Sequence, residues 1–162
     1  MPAPHLSLAA LIVGLLTQTA LAETPADRGK YLVTIMGCTY CHTPGHFVGQ
    51  PDMSRFLSGS DVGFDIPGLG TFYGANLTPD PETGIGAWSE ADIVTAIRTG
   101  VRPDGRQLAP AMPWIGYAAL TDADASAIAA FLKTLPPVAN DAPGPFGPGE
   151  PTGGFVMKVT AP

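Results

Sequence analysis

Cys38-Thr39-Tyr40-Cys41-His42 (CTYCH, residues 38–42) decides how this 162-residue chain is read. The stretch holds both cysteines of the chain, two residues apart, with a histidine directly after the second. Three chemistries use such a cluster. A disulfide across two residues closes a small strained ring, which is usual for redox catalysts on a thioredoxin-like βαβ pattern, and no such strand pattern is visible. Zinc asks for about four ligands, and beyond the first 22 residues only His46 could join the trio. The third reading is c-type haem, for which C-x-x-C-H is the attachment motif. There two thiols add to the two vinyl groups of one porphyrin edge while the adjacent imidazole turns onto the iron. The spacing favours this third reading.

The flanks agree with it. Residues 1–22, MPAPHLSLAALIVGLLTQTALA, contain an apolar run and end Ala20-Leu21-Ala22. That is the pattern of a cleaved export signal, although its first residues lack Lys and Arg, and the run is short for a membrane span. Haem attachment to C-x-x-C-H follows export, so a periplasmic location is expected. The remaining ~140 residues are one domain's worth of chain. The formal net charge is −6, which argues against nucleic acid and anionic membrane surfaces as partners. The 20 Gly and 18 Pro predict long ordered loops that need something to organise them.

Three helices are predicted. Thr24-Pro25 reads as N-cap and first position of one. PADRGKYLVTIMG follows, with Tyr31, Leu32, Ile35 and Met36 at helical spacing and Gly37 ending it. Ser89, with Asp92 as its capping-box partner, opens SEADIVTAIRT, whose apolar side is Ile93, Ala96 and Ile97, and Gly100 stops it. Thr121 opens TDADASAIAAFLKTL with Asp124 three residues on; Ile128, Phe131, Leu132 and Leu135 form its stripe, and Pro136-Pro137 end it. Residues 43–88 read as loop. Residues 139–162 form a Pro/Gly-rich extension, in which Phe155-Val156-Met157 suits a short strand.

If His42 is the proximal iron ligand, the distal side is open to Met36, Met53, Met112, Met157 or His46. His46 follows His42 too closely to pass round the porphyrin edge. Met36 belongs to the first helix, and Met157 lies in the tail. Met53, in the loop after His42, is a minor candidate. Met112 is the leading one: it sits on the loop between the second and third helices, flanked by Pro110 and Pro113, which restrict the backbone there. For any single methionine the competing role is core filling.

The order helix, CxxCH, loop, helix, Met loop, helix resembles that of class I c-type cytochromes. More closely, NLTPDPETGIGAWSEADIVTAIRTGVRPDGRQLAPAMPW (76–114) and LTDADASAIAAFLKTLPPV (120–138) resemble haem domains in cytochrome subunits of bacterial membrane-bound alcohol and sugar-acid dehydrogenases. The similarity covers roughly residues 24–138, and PGPFGP of the tail is similar too. The resemblance implies an all-α fold of three main helices and long ordered loops around one covalent haem c, spanning residues 23–138. Those subunits often carry three CxxCH motifs; this chain carries one, so no relay of haems runs within it. The resemblance also implies that Gly29 lets the first helix approach Phe131 and Leu132 closely. Tyr73, Asn76 and Trp88 would line the haem edge or bind its propionates, a role also open to Arg102 and Arg106.

The expected function is outer-sphere electron transfer, not enzymatic catalysis. His42 and Met112 would fill both axial positions, and no Ser/His/Asp set is present. Redox partner proteins are expected, a dehydrogenase as donor and a respiratory acceptor. The net charge predicts that a partner presents a basic or weakly charged patch to the haem edge. Two other readings stand beside this one: a relay subunit fixed in a dehydrogenase complex, and a haem enzyme or gas-binding protein with a labile sixth ligand.

Overall fold

The structure, a computed structural model, describes residues 22–158 and 160. All but the last residue of the expected export signal lies outside the described residues. The three predicted helices form where their caps place them. Helix α1 (Pro25–Ile35) starts with the Thr24 hydroxyl accepting the Asp27 N–H. Its C-cap is Met36, and Gly37 then adopts φ 69°, turning the chain straight into a five-residue helix α2 (Cys38–His42), the CTYCH stretch itself. The cysteines are thus helical, on an element of their own.

After α2 the chain does not stay in loops. Val62–Ile66 (β1) and Gly70–Tyr73 (β2) pair antiparallel, with Gly63 opposite Tyr73 and Ile66 opposite Gly70. Helix α3 (Glu90–Thr99) carries the expected capping box between Ser89 and Asp92, and Gly100 caps it with φ 73°. A single turn, α4 (Trp114–Tyr117), follows the Met112 loop, and α5 (Asp122–Thr134) is capped by Thr121. Phe155–Lys158 forms strand β3, as its sequence suggested, and pairs parallel with β1, Val62 opposite Phe155. The sheet order is β2-β1-β3.

The all-α expectation is therefore corrected to helices plus a three-stranded sheet. The reason is local. The strands of DVGFDIPGLGTFY are only five and four residues long, and glycines interrupt their alternation. Their third strand comes from a remote part of the chain.

Leu32, Val33, Ile93, Ile128, Phe131 and Leu132 pack α1, α3 and α5 into one core. A second correction concerns α1. Tyr31 is 50% and Ile35 59% exposed; the inward face is Gly29, Leu32 and Val33, continued by half-buried Met36. These positions share the i, i+3, i+4, i+7 spacing of one helix face, but the face begins at a glycine. A side chain at Gly29 would collide with the Ala127 carbonyl and come 2.7 Å from Phe131 Cβ. Close approach to α5 thus falls on Ala127 and Phe131. Ion pairs tie the same helices outside: Arg28 Nε to Asp124 at 2.9 Å, and Arg98 to Asp122 at 2.5 Å.

Candidate haem site

A cavity of ≈ 350 Å³ opens between the helices and the hairpin. Cys38, Cys41, His42, Tyr73, Asn76, Trp88 and Met112, every site residue expected from the sequence, line it. Its remaining wall is mainly apolar, with Ile85, Ile93, Ile97 and Leu108 on one part and Phe64 and Phe72 of the hairpin on another. The hairpin, in a stretch whose sequence reads as loop, is a wall of the site.

The α2 helix places its three reactive side chains differently. Both thiols are free. Burial pushes Cys38 up to about 11 and raises Cys41 as well, so both stay as neutral thiols. His42 is buried, and burial lowers its pKa. Its Nδ1 lies 2.7 Å from the Ala75 carbonyl. A carbonyl only accepts, so Nδ1 carries the hydrogen and Nε2 keeps its lone pair. Gly74 makes this approach possible: a Cβ there would collide with the Cys41 carbonyl and sit 3.4 Å from the imidazole.

Met112 reaches the cavity from a loop fixed on both sides. Its N–H donates to Ala109 O at 3.0 Å, and its carbonyl accepts from Trp114 N at 2.8 Å. Met36 also lines the cavity. Met53 and Met157 are 62% and 47% exposed and do not line it. His46 is also outside the lining, its ring 4.1 Å from Tyr40.

The expected propionate partners divide. Asn76 is 2% exposed, but its amide is engaged: Nδ2 donates to Val138 O at 2.7 Å and Thr83 Oγ1 at 3.1 Å, and Oδ1 accepts from Thr78. Its work is to tie the 76–83 loop to the segment after α5. The Tyr73 hydroxyl lies 3.4 Å from Phe155 O. Trp88 stacks under the Arg102 guanidinium at 5.4 Å.

Arg102 and Arg106 both line the cavity. Arg102 Nε is buried without a hydrogen bond, its nearest carboxylate oxygen, on Asp104, standing 3.4 Å away. A buried donor without a partner asks for an acceptor. Burial, then the neighbouring Arg102 charge, lowers Arg106. Two cations crowded at the edge of an apolar cavity suit a ligand that is flat and apolar in body and carries carboxylates at one edge. With two free thiols, an imidazole and a thioether in the same walls, the residues fit a haem c.

Beyond the sequence expectations, the structure adds Gly74, Tyr117 and the Phe64/Phe72 pair to the lining, and it keeps Met36, the distal candidate on the first helix, on the same wall. Tyr117 was findable, as the aromatic one helical turn past the Met112 loop. Gly74 was not, because nothing local marks a glycine pressed on a remote carbonyl.

Residues 26–136 match the family model described as cytochrome c. The chain is 40% identical over 124 residues to the "Alcohol dehydrogenase (quinone), cytochrome c subunit" of Gluconobacter oxydans (strain 621H), covering 75% of this chain and 24% of that protein. It is 40% identical over 139 residues to the "Gluconate 2-dehydrogenase cytochrome c subunit" of Pantoea cypripedii, covering 82% of this chain and 30% of that one. A "Diheme cytochrome c-type" of Cereibacter sphaeroides is 36% identical over 112 residues, 69% of this chain and 36% of its own length. The chain thus spans well under half the length of these curated relatives. The match over most of the described fold, with the CTYCH helix and the Met112 loop facing one cavity, has one meaning: this chain belongs to the cytochrome c family.

Proposed function

We propose that this chain is an exported, periplasmic monohaem cytochrome that passes electrons between a dehydrogenase and a respiratory acceptor, and is not itself an enzyme. The observation that carries this reading is the gathering of Cys38, Cys41, His42 and Met112 on the walls of one largely apolar cavity. Cys38 and Cys41 would hold the porphyrin through thioethers. His42, its Nδ1–H held by Ala75 O, offers Nε2 as the proximal ligand, and Met112 offers a thioether as the distal one. Arg102 and Arg106 offer positive charge to the propionates, with Trp88 bracing the first.

Bound haem c supplies a one-electron Fe(III)/Fe(II) couple, and His/Met ligation raises its potential. The protein's own part is to exclude water with the Ile85, Ile93 and Leu108 wall and to keep the site rigid between the two oxidation states. His42 and Met112 would together hold the iron and leave no place on it for a substrate, which favours this reading over a gas-binding protein or haem enzyme. A second reading, a relay subunit fixed within a dehydrogenase complex, is favoured equally by the relatives, which are named as such subunits.

Acid acetone should leave the haem on the chain, and the ferric spectrum should show the weak near-infrared Met–iron band. Complete extraction of haem by acid acetone would overturn the assignment. Survival of the protein's dehydrogenase association through high salt would separate the fixed subunit from the free carrier.

A further inference from the structure

The mouth of the cavity carries a charge pattern that the chain as a whole does not. The formal net charge is −6, yet residues 31–51 and 107–121 contain no Asp, Glu, Lys or Arg. These are the segments that carry Cys38, Cys41, His42 and Met112. The structure brings them together: the Tyr117 hydroxyl lies 3.4 Å from the Met36 carbonyl, and Gly37, Cys38, Cys41, Met112, Pro113 and Tyr117 line one cavity.

Between the lining residues stand side chains that turn outward. Tyr40, between Cys38 and Cys41, is 55% exposed; Ile115, between Pro113 and Tyr117, is 71% exposed; Ile35, next to Met36, is 59% exposed. Asp61 does meet the first segment, accepting the Gly45 N–H at 3.0 Å, and Asp104 faces Arg102 Nε at 3.4 Å, but neither neighbours Tyr40, Ile115 or Ile35 along the chain. Other acidic groups cap helices. Asp27, Asp92 and Asp124 sit in the first turns of α1, α3 and α5. Helix α1 alone separates its acidic end from the CTYCH end by about 15 Å. Among the described residues the charged side chains on the cavity wall, His42 aside, are Arg102 and Arg106.

We infer that this uncharged collar of Tyr40, Ile115 and Ile35 is the docking surface for a redox protein whose own centre is ringed by neutral, apolar side chains. The inference rests on the electron-transfer reading and names the partner's chemistry. Transient redox interfaces are small, so what meets at the mouth decides the fit. A basic ring would find no countercharge there and would lose hydration for nothing. A neutral apolar ring gains from each apolar area it covers. The −6 charge acts on approach over a Debye length, about 10 Å at ~0.1 M salt, and not on the seated contact.

The holoprotein can be tested by voltammetry on gold electrodes coated with monolayers ending in mixed methyl and hydroxyl, in ammonium, or in carboxylate groups. The expected result is fastest electron exchange on the neutral film. The rate there should change less than about twofold between ~0.01 M and ~1 M salt, across which the screening length falls from about 30 Å to about 3 Å. Ile115→Lys and Ile115→Glu should each slow exchange on the neutral film by about tenfold, because either charge must be desolvated without a partner. Both variants should keep the midpoint potential and the Met–iron band. Ala91→Lys, on the exposed start of α3, should change nothing. Fastest exchange on ammonium, falling with salt, would overturn the inference, as would Ile115 variants of wild-type rate. Loss of exchange on every film, with covalent haem in place, would overturn the electron-transfer reading itself.

Discussion

At the residue scale, two substitutions separate the site from the scaffold. Met112 is held between two backbone hydrogen bonds and lines the cavity. Met112→Ala should keep the haem covalent but abolish the Met–iron band, give high-spin iron or a replacement ligand, and lower the potential. Retention of the band in Met112→Ala, with its loss in Met36→Leu, would move the ligand to the other methionine on the wall. Gly29→Ala should leave the spectrum alone and destabilise the fold. Its Cβ meets the Ala127 carbonyl, a backbone atom that cannot swing aside. Overpacking of this kind costs about 1–3 kcal/mol, and a chemical-denaturation midpoint equal to wild type would refute it. The cysteines, His42 and Met112, which share one cavity wall, stand out in the sequence because their chemistry is written in spacing and flanking prolines. Asn76 lines the cavity as expected, but spacing does not tell that its carboxamide also bonds Thr78, Thr83 and Val138. The α1 face escapes such reading because a buried glycine has no hydrophobicity to read.

At the element scale, caps were legible and pairings were not. Thr24, Ser89 and Thr121 announce α1, α3 and α5, since a side-chain oxygen must satisfy the first free N–H groups. The sheet depends on partners far along the chain. The extension after residue 138 takes part in it: Thr71 and Phe146 exchange backbone hydrogen bonds at 2.9 and 3.0 Å, and β3 covers β1. Through Phe64, Phe72 and Tyr73 that sheet is a wall of the haem site. Removing residues 142–162 keeps the Val138 and Asn140 anchors and strips both contacts from the hairpin. The truncated protein should retain covalent haem, show faster amide exchange across residues 62–73, and show a lowered potential as water nears the porphyrin. If exchange and potential both stay at wild-type values, the extension does not support this wall.

At the scale of the whole molecule, carboxylates act as joints, which fixes how the protein responds to acid. The Ser54 hydroxyl and then the Arg55 side chain hold Asp52 down at about 2. Bonds from the Thr83 N–H to Asp80, the Ser89 hydroxyl to Asp92, the Arg106 N–H to Asp104 and the Arg28 side chain to Asp124 lower those carboxyls too. Two of these join elements or cap them: Asp92 closes the α3 capping box and Asp124 binds α1 to α5. A carboxyl whose pKa is depressed on folding binds more protons unfolded, so stability rises with pH across that interval. Each contribution is whole above the ordinary aspartate value, about 4, and is lost as pH falls through the folded value, for Asp52 near 2. An opposing effect exists, since acid also relieves the repulsion of the −6 charge. That relief is spread over scattered surface groups, whereas the depressed carboxylates lose specific bonds together. The urea midpoint, followed by far-ultraviolet circular dichroism, should therefore hold nearly level from pH 7 to about 5 and fall steeply below about 4. Asp124→Asn should start from a lower midpoint at pH 7 and lose less on acidification, because its ion pair to Arg28 is already gone. A midpoint that stays level down to pH 3, or an Asp124→Asn curve parallel to wild type, would show that these joints do not carry the acid response.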